Sequence, residues 1–91
     1  MDIIFKKVVI SMTVGEAVRE RILELCKERN LSINKLCSIS GVTPSTVNNI
    51  ISGRNNSATV TTVKKLCDGL DITIEVFFSS ELFRDLEQEG K

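Results

Sequence analysis

Residues 32–53 read SINKLCSISGVTPSTVNNIISG, two short amphipathic patterns separated by a glycine, and few folds accommodate that arrangement. The first pattern opens on Ser32, a residue type that caps helices by accepting a bond from a free backbone N–H. Its helical spacing turns Leu36 and Ile39 inward, with small Cys37 where a second helix can cross closely. Gly41 supplies the left-handed turn that other residues adopt only with strain. The second pattern opens on Thr43 as N-cap, with Pro44 at the first helical position, where a missing N–H costs nothing. Val47, Ile50 and Ile51 form its inward stripe, while Ser45, Asn48, Asn49 and Ser52 follow i, i+3, i+4, i+7 on another face. Helix, glycine turn, helix at this spacing is a helix-turn-helix.

The outer face of the second helix is polar yet uncharged. A helix face that only meets water usually carries Lys and Glu, which are better helix formers than Asn or Ser. Four weak formers on one face fit a different demand. Asparagine pairs bidentately with adenine, and serine hydroxyls serve several base edges in the major groove of DNA. The alternative, an ordinary solvated face, is left open by this pattern alone.

Charge supports the first reading through its distribution. The 91-residue chain has 12 basic and 12 acidic residues. From Arg29 through Cys67, however, there is no Asp or Glu, while Arg29, Lys35, Arg54, Lys64 and Lys65 fall in that window. The acids gather later, at Asp68, Asp71, Glu75, Glu81, Asp85, Glu87 and Glu89. Phosphate contacts dominate affinity for DNA, so local charge outweighs the total. Cys26, Cys37 and Cys67 are odd in number, show no C-x-x-C spacing and have no histidine to complete a zinc site, so no metal or cofactor is expected. Each falls on an apolar helical register and reads as a buried small hydrophobe of a reducing compartment. No apolar run is long enough to span a membrane, and residues 1–10 lack a signal-peptide pattern, which points to the cytoplasm.

Around the central motif the sequence predicts further helices. Thr13-Val-Gly-Glu16 is a capping box starting a first helix that runs through Arg29, with Asn30 as left-handed C-cap. Residues 54–57 read as a polar loop, followed by a helix over 59–70. Thr73 caps a short helix whose Ile74, Phe77 and Phe78 face the core. Ser79 or Ser80 begins a last helix carrying Leu82, Phe83 and Leu86. Residues 2–11 favour a strand, with no partner strand in sight. That segment can pair with a second chain, lie along the helical core, or be an extension ahead of Met12 as an alternative start. The expected fold is all-α, a compact bundle of about five short helices with a helix-turn-helix and an N-terminal strand as an open question. Residues 1–11 form the extension or strand, 12–79 the DNA-binding domain and 80–91 a C-terminal helix and tail.

The chain resembles the lambda-repressor-like helix-turn-helix domains of phage repressors, Cro proteins and Xre-type bacterial regulators over about residues 14–78. The resemblance rests on Leu36 and Cys37 where the family favours leucine and alanine, Gly41 in the turn, inward Val47 and Ile50, Gly53 after the second helix, and the closing KLCDGLDITIEVFF. It implies that Thr43 and Arg54 touch phosphates, while Pro44, Ser45, Asn48 and Asn49 lie at or near bases. Lys35 joins the phosphate set as a basic residue of the motif. Ile33 stands where the family commonly has a phosphate-binding glutamine, the loop after Gly53 lacks the usual proline, and Asp71 replaces a glycine common between the last two core helices.

These features together predict a DNA-binding transcriptional regulator, a repressor, acting as a dimer on an inverted repeat of double-stranded DNA. Leu82, Phe83 and Leu86 are the candidate dimer contacts. The competing class is a protein-interaction module, such as an antitoxin or phage-decision factor whose acidic tail captures a protein partner. Enzymatic action is not expected, because the chain has no histidine, no activated-nucleophile motif and no Gly-rich phosphate loop.

Overall fold

A computed structural model describes residues 12–53 and 58–88. They form five α-helices and a closing 3₁₀ turn: α1 (Val14–Arg29), α2 (Ile33–Ser40), α3 (Pro44–Ile51), α4 (Val60–Leu70), α5 (Ile74–Phe77) and the turn Glu81–Phe83. The only β pairing among the described residues is an isolated parallel bridge between Met12 and Leu86. The expected strand at residues 2–11 and polar loop at 54–57 lie outside the described residues.

Local chemistry sets where the helices start and stop. Thr13 accepts from the Glu16 backbone N–H while Glu16 accepts from the Thr13 N–H, closing the capping box at 3.1 and 2.9 Å. Ser32, Thr59 and Thr73 each cap the next helix in the same single-sided way, through Lys35, Thr62 and Val76. Helices α1, α2 and α4 end on left-handed residues, Asn30 (φ 60°), Gly41 (φ 68°) and Asp71 (φ 59°). Asp71 thus adopts the geometry usually left to glycine, and the turn closes as Ile72 N–H reaches the Cys67 carbonyl at 3.0 Å.

Apolar stripes meet at one core. Val18, Ile22, Leu25 and Cys26 of α1 pack with Leu36 and Cys37 of α2, Val47 and Ile50 of α3, Val63, Leu66, Cys67 and Leu70 of α4, and Phe77 of α5. All three cysteines are buried and free, and burial is the leading cause that pushes each thiol's pKa up. The expectation of cysteines buried as small hydrophobes therefore holds.

Helix α4 crosses α2 closely at Gly69. A Cβ there would lie 2.9 Å from Ser40 Cα and 3.0 Å from Ser40 Cβ, inside any normal contact. Ser40 Oγ is buried at this crossing with no hydrogen-bond partner among the described residues. The close approach expected at Cys37 thus centres one turn later. Gly69→Ala gains about 1 kcal/mol of helix propensity but overpacks the crossing by about 1–3 kcal/mol, so a net loss of up to roughly 2 kcal/mol is expected in urea denaturation. A variant more stable than the parent would show that the two helices separate freely.

Several expected positions moved. Ile39 is 41% exposed rather than inward. At roughly 100° per residue, Leu36, Cys37 and Ser40 centre the buried face of α2, and Ile39 falls about 100° from that centre. Ile74 and Phe78 are 37% and 38% exposed, because α5 has four residues and only Phe77 lies underneath it. The expected last helix shrinks to the turn Glu81–Phe83, capped by Ser80. Leu86 lies beyond it, in the bridge to Met12.

Candidate nucleic-acid interface

Helices α2 and α3 pack against each other and, through Leu36, Val47 and Ile50, against the core. Burying those three leaves a defined outer face on α3. Ser45, Asn48 and Ser52 are exposed and Asn49 is half-buried, while Thr43 and Pro44 stand exposed at the helix start. Angular bookkeeping puts Ser45, Asn49 and Ser52 on the side opposite Val47, and Asn48 at its flank, about 100° round. The structure thus brings the four sequence-predicted base-facing residues onto one continuous surface. Ile51 is half-buried at the edge of the inward stripe.

Thr43 has the extended backbone of an N-cap (φ −69°, ψ 146°), but its side chain forms no capping bond. Its hydroxyl instead lies 2.9 Å from Thr46 Oγ1 and 3.3 Å from Ser45 Oγ. The difference from the expected cap has a local cause: the hydroxyls of the second and third helical residues, Ser45 and Thr46, compete for it. The start of α3 is therefore uncapped by its own side chain, and the partial positive charge of the helix end faces outward.

Lys35 sits exposed on the first turn of α2. Ile33, where a polar phosphate contact is common, is half-buried and packs against the core. The rest of the basic window is partly committed elsewhere. Arg29 Nη1 donates to the Leu70 carbonyl at 2.7 Å, tying the ends of α1 and α4. Lys64 pairs with Asp68 one turn on, and that hydrogen bond raises its pKa. Arg54 lies outside the described residues.

One buried charged group escaped the sequence reading. Arg21 is 8% exposed, and its Nε and Nη2 donate to the Phe77 and Val76 carbonyls at 2.7 and 2.9 Å. Its Nη1 pairs with Glu24 at 2.7 Å. The signal was available: Arg21 falls on the same helical register as Ala17, Val18, Ile22 and Leu25, where a charge has to find buried partners. Among the described residues no group of three or more His, Cys, Asp or Glu is placed to hold a metal ion, and no helix is long and apolar enough to cross a membrane.

An α-helical core that presents α2, a left-handed glycine turn and a polar, solvent-facing α3 defines a helix-turn-helix DNA-binding domain. The Helix-turn-helix family profile matches residues 22–77, and the chain belongs to that family. Among solved structures it is similar to prophage Lp1 protein 11, at 38% identity and a TM-score of 0.72, over 79% of this chain and 95% of that one. No curated protein matches it significantly. The protein is a DNA-binding transcription regulator of the Xre type.

Proposed function

We propose that this regulator reads a specific operator with α3 in the major groove and represses by occupying it as a dimer. The observation that carries the reading is the exposed, polar and uncharged face of α3, set on a helix whose opposite side is sealed into the core. In this reading Pro44, Ser45, Asn48 and Asn49 meet base edges. Thr43, Lys35 and Arg54 hold phosphates, the first aided by the helix dipole at an end its own hydroxyl leaves uncapped. One module of this size covers about 600–1,000 Å² on DNA, so two copies on half-sites about one helical turn apart supply the affinity and the symmetry of an inverted repeat. Repression needs only occupancy. Selection of random duplexes with the purified protein tests the whole proposal: an enriched inverted repeat supports it, and no enrichment overturns it.

Individual residues separate by assay. Asn48→Ala is expected to cost about 1–3 kcal/mol on the selected site and almost nothing on scrambled DNA, with a smaller loss for half-buried Asn49→Ala. Arg54→Ala should weaken every duplex alike and reduce the slope of log affinity against log salt by about one. Equal losses on both duplexes for Asn48→Ala would move it to backbone duty.

Two surfaces compete for the dimer contact. Leu82, Phe83 and Leu86 are half-buried, and Phe83 is partly used within the monomer, with its ring 4.7 Å from that of Phe78. A second apolar surface surrounds a groove of about 200 Å³ lined by Val14, Val60, Ile74 and Phe78 among others. Val60 is 75% exposed there, and Val76 of the same α5 is 46% exposed. We place the dimer on the C-terminal residues, so Leu82→Asp should yield a folded monomer by light scattering at micromolar concentration, while Val60→Asp on the second surface leaves the dimer intact. The reverse outcome moves the contact to the second surface, and that patch also suits the competing role of a protein-interaction module.

A further inference from the structure

One groove of the described surface is walled by the closing 3₁₀ turn and by the first described residue. It has a volume of about 460 Å³ and is lined by Met12, Glu24, Ser80, Glu81, Leu82 and Asp85. Apolar Met12 and Leu82 therefore sit among three carboxylates. Glu24 already shares its charge with Arg21, but among the described residues Glu81 and Asp85 have no cationic partner. A surface of this kind suits a segment that is apolar and carries positive charge.

The chain supplies one directly ahead of the groove. Residues 1–11 read MDIIFKKVVIS, six large apolar side chains from Ile3 to Ile10 interrupted by Lys6 and Lys7. Their point of attachment is Met12, itself a wall of the groove. Direction is also set. Met12 pairs with Leu86 in parallel, and the Glu87 N–H donates to the Met12 carbonyl at 3.0 Å. In a parallel pair, residues that precede one partner run beside residues that precede the other. Eleven extended residues reach about 36 Å, more than enough to follow the groove.

We propose that residues 1–11 dock in this groove of their own chain as an intramolecular arm, with apolar side chains against Met12 and Leu82 and the positive charge of its Lys6–Lys7 pair offsetting the carboxylates of Glu81 and Asp85. The arm then shields apolar surface that a lone strand would leave in water. It also covers one side of Leu82, so arm docking and pairing through Leu82 draw on the same surface. The inference does not depend on the DNA-binding reading, and its test contains no DNA.

The test uses the full chain. In a uniformly ¹³C,¹⁵N-labelled sample, nuclear Overhauser contacts are expected from side chains of residues 4–9 to the methyl groups of Leu82 and Met12. A sample mixing labelled and unlabelled copies separates contacts within a chain from contacts between chains. Lys6→Glu with Lys7→Glu should lower Tm by about 2–6 °C, and adding Glu81→Lys with Asp85→Lys should recover at least half of that loss. Contacts found only between chains overturn docking within one chain in favour of arm exchange. Contacts to Val60 and Phe78, no contacts at all, or a charge reversal without recovery overturn the groove as the site.

Discussion

Arg21→Met is expected to destabilise the protein by about 2–3 kcal/mol while leaving its helix content intact below the transition. The methionine keeps the apolar stem and removes the guanidinium. The carbonyl of Phe77, at the end of α5, then loses its 2.7 Å donor inside the core boundary. An orphaned buried acceptor costs about 1–3 kcal/mol. The Val76 carbonyl is less exposed to the change, because the Ser79 N–H and hydroxyl also reach it, at 3.2 and 2.7 Å. Glu24 loses a partner, but its side chain is 43% exposed, so water replaces most of that interaction. The guanidinium also stands 6.0 Å from the centre of the Phe77 ring, and that attraction is lost as well. For a domain of this size the sum corresponds to a fall in Tm of roughly 10–20 °C. Arg21→Lys keeps the charge but loses the planar fork that serves two carbonyls and a carboxylate together, so it should recover only part of the loss. Urea denaturation followed by circular dichroism measures both variants. A methionine variant within about half a kcal/mol of the parent would show that water already satisfies these carbonyls.

The residues that were legible in the sequence share a property: their roles depend on neighbours within one helical turn. Thr13 with Glu16, Ser32 with Lys35 and Asn30 as a left-handed cap are local chemistry, and each stands where the spacing predicts. The stripe of α4, with Val63, Leu66, Cys67 and Leu70 buried, is equally local, because one periodicity runs through a helix long enough to express it. The polar face of α3 could be read for the same reason. What stayed hidden depends on where distant elements meet. Arg21 finds its carbonyls 55 and 56 residues away, and Gly69 is needed because Ser40 crosses it, neither of which has a short-range signature. Ile74 and Phe78 failed for a related reason. In a helix of four residues, periodicity offers several inward faces, and the single contact that chooses among them is Phe77 in the core. The closing segment shows the same limit: Leu82, Phe83 and Leu86 suit a helical pattern, but the pairing of Leu86 with Met12 draws the chain out of it.

Phe77→Ala should have the largest effect of any single truncation near the end of the fold, about 3–5 kcal/mol. The ring is fully buried, and it meets the Phe78 ring edge-on at 4.9 Å and the Phe83 ring at 6.1 Å. A four-residue helix has no stability of its own, since nucleating a helix costs more than one turn of hydrogen bonds returns. Helix α5 therefore stays in place through what Phe77 buries and through the bonds of Arg21 to its carbonyls. With total stabilities of about 5–15 kcal/mol for domains of this kind, losing 3–5 kcal/mol removes a large share. The Phe77 and Arg21 effects should also fall short of additive in the double variant, because freeing α5 by either route forfeits contacts that the other shares. Function provides the second readout. The α3 face and the α2–α3 turn lie on other elements, so at low temperature, where the Phe77→Ala protein remains folded, affinity for the selected operator should match that of the parent. A loss of specific binding in a protein that circular dichroism shows to be folded would mean that α5 helps to position the reading helix as well as to close the core.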